Sequence, residues 1–258
     1  MAEFQEQRFD VNGVETAVLT AGEGEPLVFF HGGGVLEGFE CLLPLAERFR
    51  LIAPYHPGFG SSGDDPGVEG VGDLVRHYLE LLDALEVKRM ALVGHSLGGW
   101  LAAWLAIDHP GRVRRLVLAS PSGLSVAGHP GPDFPALQPD EIYGLLTADP
   151  SIFAGRIPEP LDDTFLAARS REGQAIGRLR PAGPDDPKLA RWLHRLTMPT
   201  LLLWGDEDKV VPAAYLEAWE PLLPNARSSV FPGRGHLLFW EDRDSVAAVA
   251  AFAGDNSA

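Results

Sequence analysis

Apolar residues along the chain fall into short unbroken runs separated by segments with helical spacing. Pro26-Leu27-Val28-Phe29-Phe30, Leu51-Ile52-Ala53-Pro54, Met90-Ala91-Leu92-Val93, Leu116-Val117-Leu118-Ala119 and Thr200-Leu201-Leu202-Leu203-Trp204 each read as a strand buried on both faces, with Ser229-Val230-Phe231 a weaker sixth. Leu74 to Leu85 carries apolar residues at 74, 75, 78, 79, 81, 82 and 85, which predicts a helix. Leu97 to Ile107 predicts a fully buried helix that ends at His109-Pro110, and Val246 to Phe252 a closing one. At the start, Arg8–Val11 and Glu15–Leu19 flank Asn12-Gly13, a dipeptide that adopts the two left-handed positions of a tight hairpin turn. Buried strands alternating with helices predict an α/β fold, with a mostly parallel sheet covered on both faces.

The pattern changes in the middle. Twelve of the 22 prolines lie from Pro121 to Pro199, and no buried strand occurs there. Leu161–Leu179 and Lys188–Leu196 have amphipathic helical spacing. A structureless loop of that length is uncommon in a compact domain. Residues 121–196 are therefore expected to form a helical cap inserted into a core built from 1–120 and 197–258.

Composition narrows the class. Twenty-one Lys and Arg against 36 Asp and Glu give a net charge of −15 over 258 residues. Counterion release from nucleic acid needs a basic surface, and so does attraction to an anionic membrane. Neither partner is expected. The single cysteine, Cys41, forms no internal disulfide and no thiolate zinc cage. The first residues lack a secretory pattern and no apolar run is long enough to span a bilayer, so a cytoplasmic protein is the expectation.

The candidate chemistry begins at Gly94-His95-Ser96-Leu97-Gly98, a G-x-S-x-G run set between a buried strand and a buried helix. A sharp strand-to-helix turn of this kind needs small neighbours and holds the serine oxygen above the sheet. It also leaves the Leu97 N–H at a helix start, where no intrahelical acceptor competes for it. Three further segments fall in a telling order: His31-Gly32-Gly33-Gly34 after the first buried strand, Trp204-Gly205-Asp206-Glu207-Asp208-Lys209-Val210-Val211-Pro212 after the last strong one, and Gly233-Arg234-Gly235-His236 near the end. Together the four resemble the oxyanion loop, nucleophile elbow, acid loop and histidine loop of the α/β-hydrolase family, in that family's order of Ser, Asp, His. The family's fold is an eight-stranded, mostly parallel sheet flanked by helices.

The resemblance implies a Ser96–His236–Asp208 triad. Its acid-loop pattern, G-x-x-D before an apolar residue and proline, selects Asp208, whereas Asp206 sits nearer the strand end and suits a turn-supporting role. Gly33 is the expected oxyanion donor alongside Leu97, with Gly34 an alternative. His31 is expected to bond its own loop backbone, His95 to be structural, and His77 and His109 to lie on helix surfaces. Gly58-Phe59-Gly60-Ser61-Ser62-Gly63 fits a dinucleotide fingerprint, but Asp64-Asp65-Pro66-Gly67 follows, so the glycines do not open a helix. The same segment resembles the family's P-G-F-G-x-S loop, with Tyr55 where relatives commonly have Asp. No cofactor or metal is expected.

A serine nucleophile with an oxyanion hole supports acyl transfer to water, and carboxylic-ester hydrolysis of a small molecule is the leading expectation. The same triad also serves C–C bond hydrolases, lactonases, amidases, aminopeptidases and perhydrolases, and some members of the fold only bind ligands. The apolar residues Phe134, Leu137, Ile142, Tyr143, Leu145, Leu146, Phe153, Phe165 and Trp192 of the middle segment suit either an acyl pocket or packing of the cap on the core.

Overall fold

The computed structural model describes residues 2–34, 38–137, 139–180 and 185–255. Its eight strands are β1 (Gln5–Val11), β2 (Val14–Ala21), β3 (Glu25–Phe30), β4 (Phe49–Pro54), β5 (Met90–His95), β6 (Val113–Ala119), β7 (Thr200–Gly205) and β8 (Ala226–Phe231). They form one sheet in the order β1-β2-β4-β3-β5-β6-β7-β8. The pairs from β4 through β3 to β8 are all parallel. The β1–β2 hairpin turns at Asn12-Gly13, both at positive φ, and joins the sheet antiparallel to β4. Every residue of β5 and β7 is buried, as expected for strands covered on both faces. β8 is an edge strand with no fully buried residue, which accounts for its faint apolar pattern.

Helices α1 (Val71–Ala84) and α2 (Leu97–Asp108) pack on each other, and the closing helix α7 (Arg243–Ala253) packs on the 3-10 segment Glu40–Glu47 and on β6. Helix α2 is buried on nearly all sides, which is why its sequence shows no polar face. One expected surface position is overturned here. His77 on α1 is buried at 7% exposure, and its Nε2 lies 3.0 Å from the Thr16 hydroxyl of β2. The hairpin closes over that helix face, a contact that periodicity within the helix does not reveal.

Between β6 and β7 lie α3 (Pro139–Leu146), α4 (Asp163–Leu179) and several single 3-10 turns, with no strand among the described residues. Asp162 caps α4 by accepting a hydrogen bond from the Phe165 amide at 2.8 Å. Helix α4 is clamped to the loop after β4: Arg171 donates to the Gly58 and Gly60 carbonyls at 3.0 and 2.5 Å, and Arg178 pairs with Asp64. The helix expected over Lys188–Leu196 forms instead as two 3-10 turns, Leu189–Arg191 and Leu193–Arg195. Leu189, Leu193 and Leu196 are all fully buried in the core. Two short helices that periodicity did not suggest, α5 (Ala214–Trp219) and α6 (Leu238–Glu241), follow β7 and the histidine loop.

Candidate active site

The centre of the sheet presents Ser96. Strand β5 ends at His95, helix α2 begins at Leu97, and Ser96 between them has φ +54° and ψ −115°. A non-glycine residue there is strained, at a cost on the order of 1–3 kcal/mol, and must be held by its surroundings. The hold is visible: the Ser96 amide donates to the Ala119 carbonyl at 3.0 Å, and the Ser96 carbonyl accepts from Ser122 at 3.1 Å and Gly99 at 3.0 Å. The glycines are steric necessities. A Cβ on Gly98 would lie 2.1 Å from the Phe30 carbonyl oxygen, and one on Gly94 would lie 2.4 Å from the Gly98 oxygen. Gly98→Ala is therefore expected to lower unfolding free energy by about 3 kcal/mol or more, since only backbone movement can relieve the clash. Urea denaturation checks this, and a change below about 1 kcal/mol would show that the elbow yields easily.

The loop after β7 supplies the carboxylate. Asp208 is buried; its Oδ1 accepts from the Val210 and Val211 amides at 2.9 and 2.8 Å, and its Oδ2 accepts from His236 Nδ1–H at 2.8 Å. Burial pushes this carboxyl up, but the facing His236 and the hydrogen bonds it receives outweigh that and hold it below the usual range. Asp206 has a different task, accepting from the Gly233 amide at 2.6 Å to tie the acid loop to the histidine loop. Glu207 is exposed.

His236 is buried, with Nδ1 committed to Asp208, so Nε2 is the nitrogen left for exchange with a substrate or nucleophile. Its carbonyl accepts from His95 Nε2–H at 2.8 Å, and the two rings lie 4.8 Å apart. His95, one residue before Ser96, thus ties the elbow to the histidine loop. No hydrogen bond joins Ser96 Oγ to His236 among the described residues, and such bonds often tighten only around bound substrate. Glu241 braces the same loop: its Oε2 accepts from the Gly235 amide at 2.9 Å and from the Ala148 amide at 3.2 Å. Glu241 carried no sequence signal, because its partners lie on two separate loops.

Gly33, after β3, and Leu97, after Ser96, are the two residues expected to donate to an oxyanion. Leu97 is the first residue of α2, so its N–H has no partner within the helix. Gly32 faces the elbow, where a Cβ would lie 3.4 Å from Ser96 Cβ and 3.1 Å from His95 Nδ1. Over the loop stands α4, with Ile176 Cδ1 3.2 Å from where a Gly33 Cβ would be. Of the apolar residues noted in the middle segment, Leu145 and Leu146 pack on the core and Phe153 lies against Tyr143, whereas Phe134 and Trp192 are exposed. The segment 58–63 closes on itself through Gly58 N–H to the Gly63 carbonyl at 2.8 Å, and the next helix opens only at Val71. Among the described residues no group of three or more His, Cys, Asp or Glu side chains could hold a metal, and no helix is long and apolar enough to cross a membrane.

Four histidines around this site and the hairpin are held neutral by burial: His31 well below the ordinary 6.5, His56 and His77 at about 4, and His95 at about 3. The unfolded chain binds their protons near pH 6.5 and the folded chain does not. Stability is therefore full above pH 6.5 and falls as pH drops toward 4, by about 1.4 kcal/mol per pH unit for each histidine. Urea midpoints should fall steeply from pH 7 to 5, whereas a flat acid limb would mean these rings are solvated.

The model of the alpha/beta hydrolase fold matches residues 25–154 and 178–243. The 2-hydroxymuconate semialdehyde hydrolase of a Pseudomonas species is 30% identical over 94% of this chain and 90% of its own length. The 2-hydroxy-6-oxo-2,4-heptadienoate hydrolase of Pseudomonas putida is 31% identical over 88% and 87%. The dihydrolipoyllysine-residue acetyltransferase component of an acetoin cleaving system from Cupriavidus necator is 30% identical over 93% of this chain, which spans only 66% of that protein. Among solved structures, a membrane phospholipase A described as a bacterial virulence factor superposes with a TM-score of 0.84 at 27% identity, over 96% of this chain and 85% of that one. With its parallel sheet, strained serine turn and these likenesses, the chain belongs to the α/β-hydrolase family and is a hydrolase.

Proposed function

We propose that the protein is a serine hydrolase of small carboxylic esters, with Ser96 as nucleophile, His236 as base and acid, and Asp208 orienting the imidazole. The observation that carries this reading is the Asp208–His236 bond of 2.8 Å, between two buried side chains on neighbouring loops, the histidine loop being tied through His95 to the strained Ser96. Ser96 Oγ attacks the ester carbonyl as its proton passes to His236 Nε2. Negative charge develops on the carbonyl oxygen, toward which the Gly33 and Leu97 N–H groups donate. Collapse expels the alkoxide, which takes the proton from His236. Water, deprotonated by the same nitrogen, then attacks the acyl-enzyme and frees Ser96. Residues 121–196 act as a cap: α4, clamped by Arg171 and Arg178, roofs the oxyanion loop and limits the size of the acyl group.

A second reading is hydrolysis of a C–C bond in an oxo-dienoate, favoured by the names of the two hydrolases that match nearly end to end. The ester reading asks less of the site, because an alkoxide leaves with a proton on oxygen whereas a carbon leaving group must be protonated at carbon. It is also supported by the likeness to a phospholipase A, an ester-cleaving enzyme by its name. Side-by-side turnover of p-nitrophenyl acetate, p-nitrophenyl butyrate and 2-hydroxy-6-oxo-hepta-2,4-dienoate decides. A kcat/KM at least about 100-fold higher on the esters supports the first reading, and the reverse ratio replaces it with the second; that factor corresponds to about 2.7 kcal/mol of transition-state discrimination.

A further inference from the structure

Behind the oxyanion loop lies a buried chain of three polar rings whose hydrogen bonds admit only one assignment of protons. His31 Nε2 lies 3.0 Å from the His56 amide and receives that N–H, so Nε2 carries no proton. Its proton is therefore on Nδ1, which donates to the Gly32 carbonyl at 2.7 Å. His56 Nε2 lies 2.9 Å from the His31 carbonyl, an acceptor only, so Nε2 carries the His56 proton. His56 Nδ1 is then a bare acceptor, and the Tyr78 hydroxyl on α1 donates to it. Tyr78 and His56 are fully buried and His31 nearly so, and the His31 and His56 rings lie 3.7 Å apart. Burial keeps both histidines neutral, in keeping with single protons on each ring.

The consequence falls on one peptide plane. The Gly32 carbonyl and the Gly33 N–H belong to the same trans peptide and point in opposite directions. Whatever fixes the carbonyl fixes the N–H. Among the described residues the Gly33 N–H has no acceptor, as an oxyanion donor must be free. Without the His31 bond, a glycine pair has little to stop that peptide from rotating, because neither residue carries a Cβ. His31 alone is not sufficient: the His56 amide sets its tautomer, and the His56 Nε2–H holds the carbonyl of the peptide that leads into Gly32.

We propose that Tyr78 and His56 are positioning residues of the oxyanion hole: Tyr78 holds the His56 proton on Nε2, where it anchors the His31 carbonyl, while the His56 amide holds the His31 proton on Nδ1, where it anchors the Gly32 carbonyl, and the two bonds together aim the Gly33 N–H at the developing oxyanion. The inference rests on Ser96 being the nucleophile beside that loop. It places part of the catalytic geometry on α1, 22 residues after His56 in sequence. Neither residue touches the reacting atoms.

Two measurements test it. In the wild-type enzyme labelled with 15N-histidine, long-range 1H–15N spectra should show His31 as the Nδ1–H tautomer and His56 as the Nε2–H tautomer; either opposite tautomer overturns the relay without reference to activity. Tyr78→Phe keeps the ring packed and removes only the donor. It should lower kcat on p-nitrophenyl acetate by about 10- to 100-fold, somewhat less than deleting an oxyanion donor outright. It should weaken phenylboronic acid, which forms a tetrahedral anion on the serine, by a similar factor, with KM changed less than about 2-fold. His56→Leu should do the same, and His56→Gln, which keeps a donor toward the His31 carbonyl, should recover part of the loss. Folded variants with unchanged kcat and boronate affinity overturn the proposal; if a variant fails to fold, the wild-type spectrum decides. Full activity of Ser96→Ala would instead remove the functional reading and leave the tautomers as measured.

Discussion

Ser96→Ala is expected to reduce kcat on p-nitrophenyl esters by roughly 10⁶, the size of loss seen when the nucleophile of a serine hydrolase is deleted. The fold should not change. The Ser96 side chain makes no capping bond to α2 and is only half-buried, so its removal leaves no buried polar partner stranded. The backbone strain is carried equally by alanine, and the bonds that hold the turn run through the amide and carbonyl of residue 96. Thermal unfolding within about 2 °C of wild type, together with lost turnover, assigns the defect to chemistry. A variant that keeps more than about one-tenth of the activity would move the nucleophile elsewhere and remove the triad altogether. A wild type that releases one equivalent of p-nitrophenol and then stalls would point to a ligand-binding member of the fold, in which the acyl-enzyme forms and does not turn over.

The elbow could be found in the sequence because its demands are local. A buried strand, a serine between small residues and a buried helix lie within eighteen positions, and each has its own period or steric signature. Asp208 was legible for a related reason: its Oδ1 bonds amides two and three residues on, so the acid loop is a local motif. The parallel sheet followed from the apolar runs, since strands covered on both faces need no alternation.

What the sequence hid depends on meetings between distant segments. His77 looked exposed because the helix pattern says nothing of the hairpin that covers it at Thr16. Glu241 joins amides from the histidine loop and from residue 148, and neither partner is near it in the pattern. Arg171 and Arg178 read as the polar face of an amphipathic helix, yet they clamp that helix to the loop after β4. His31 was expected to bond its own loop backbone and it does, at the Gly32 carbonyl. Its bonds to His56, and the bond of His56 to Tyr78, join three separate segments, which no spacing rule spans.

Asp208→Asn separates Asp208 from Asp206 in the acid loop. In the wild type, Asp208 Oδ2 accepts the His236 Nδ1 proton while Oδ1 holds the Val210 and Val211 amides. An asparagine of the same shape keeps its oxygen on the two amides and turns its NH₂ toward the imidazole. His236 must then bear its proton on Nε2 and accept at Nδ1, so Nε2 can no longer take a proton. The imidazolium of the transition state also loses its counter-charge. A loss on the order of 10⁴ in kcat is expected, by analogy with the same change in a serine protease. KM should move little, because both carboxylate oxygens are committed to the Val210 and Val211 amides and to His236. Asp206→Asn retains the oxygen that accepts from Gly233 and should cost less than about 10-fold. Acid stability gives a second readout. The Asp208 carboxyl is held below its ordinary value, so it contributes stability above pH 3.8 that is lost as pH falls through its folded value. Asp208→Asn should lack that component at every pH, and its stability difference from wild type should shrink in acid. If Asp206→Asn proved the more damaging change, the acid would be Asp206, and His236 would have to swing away from the buried carboxylate that it now meets at 2.8 Å.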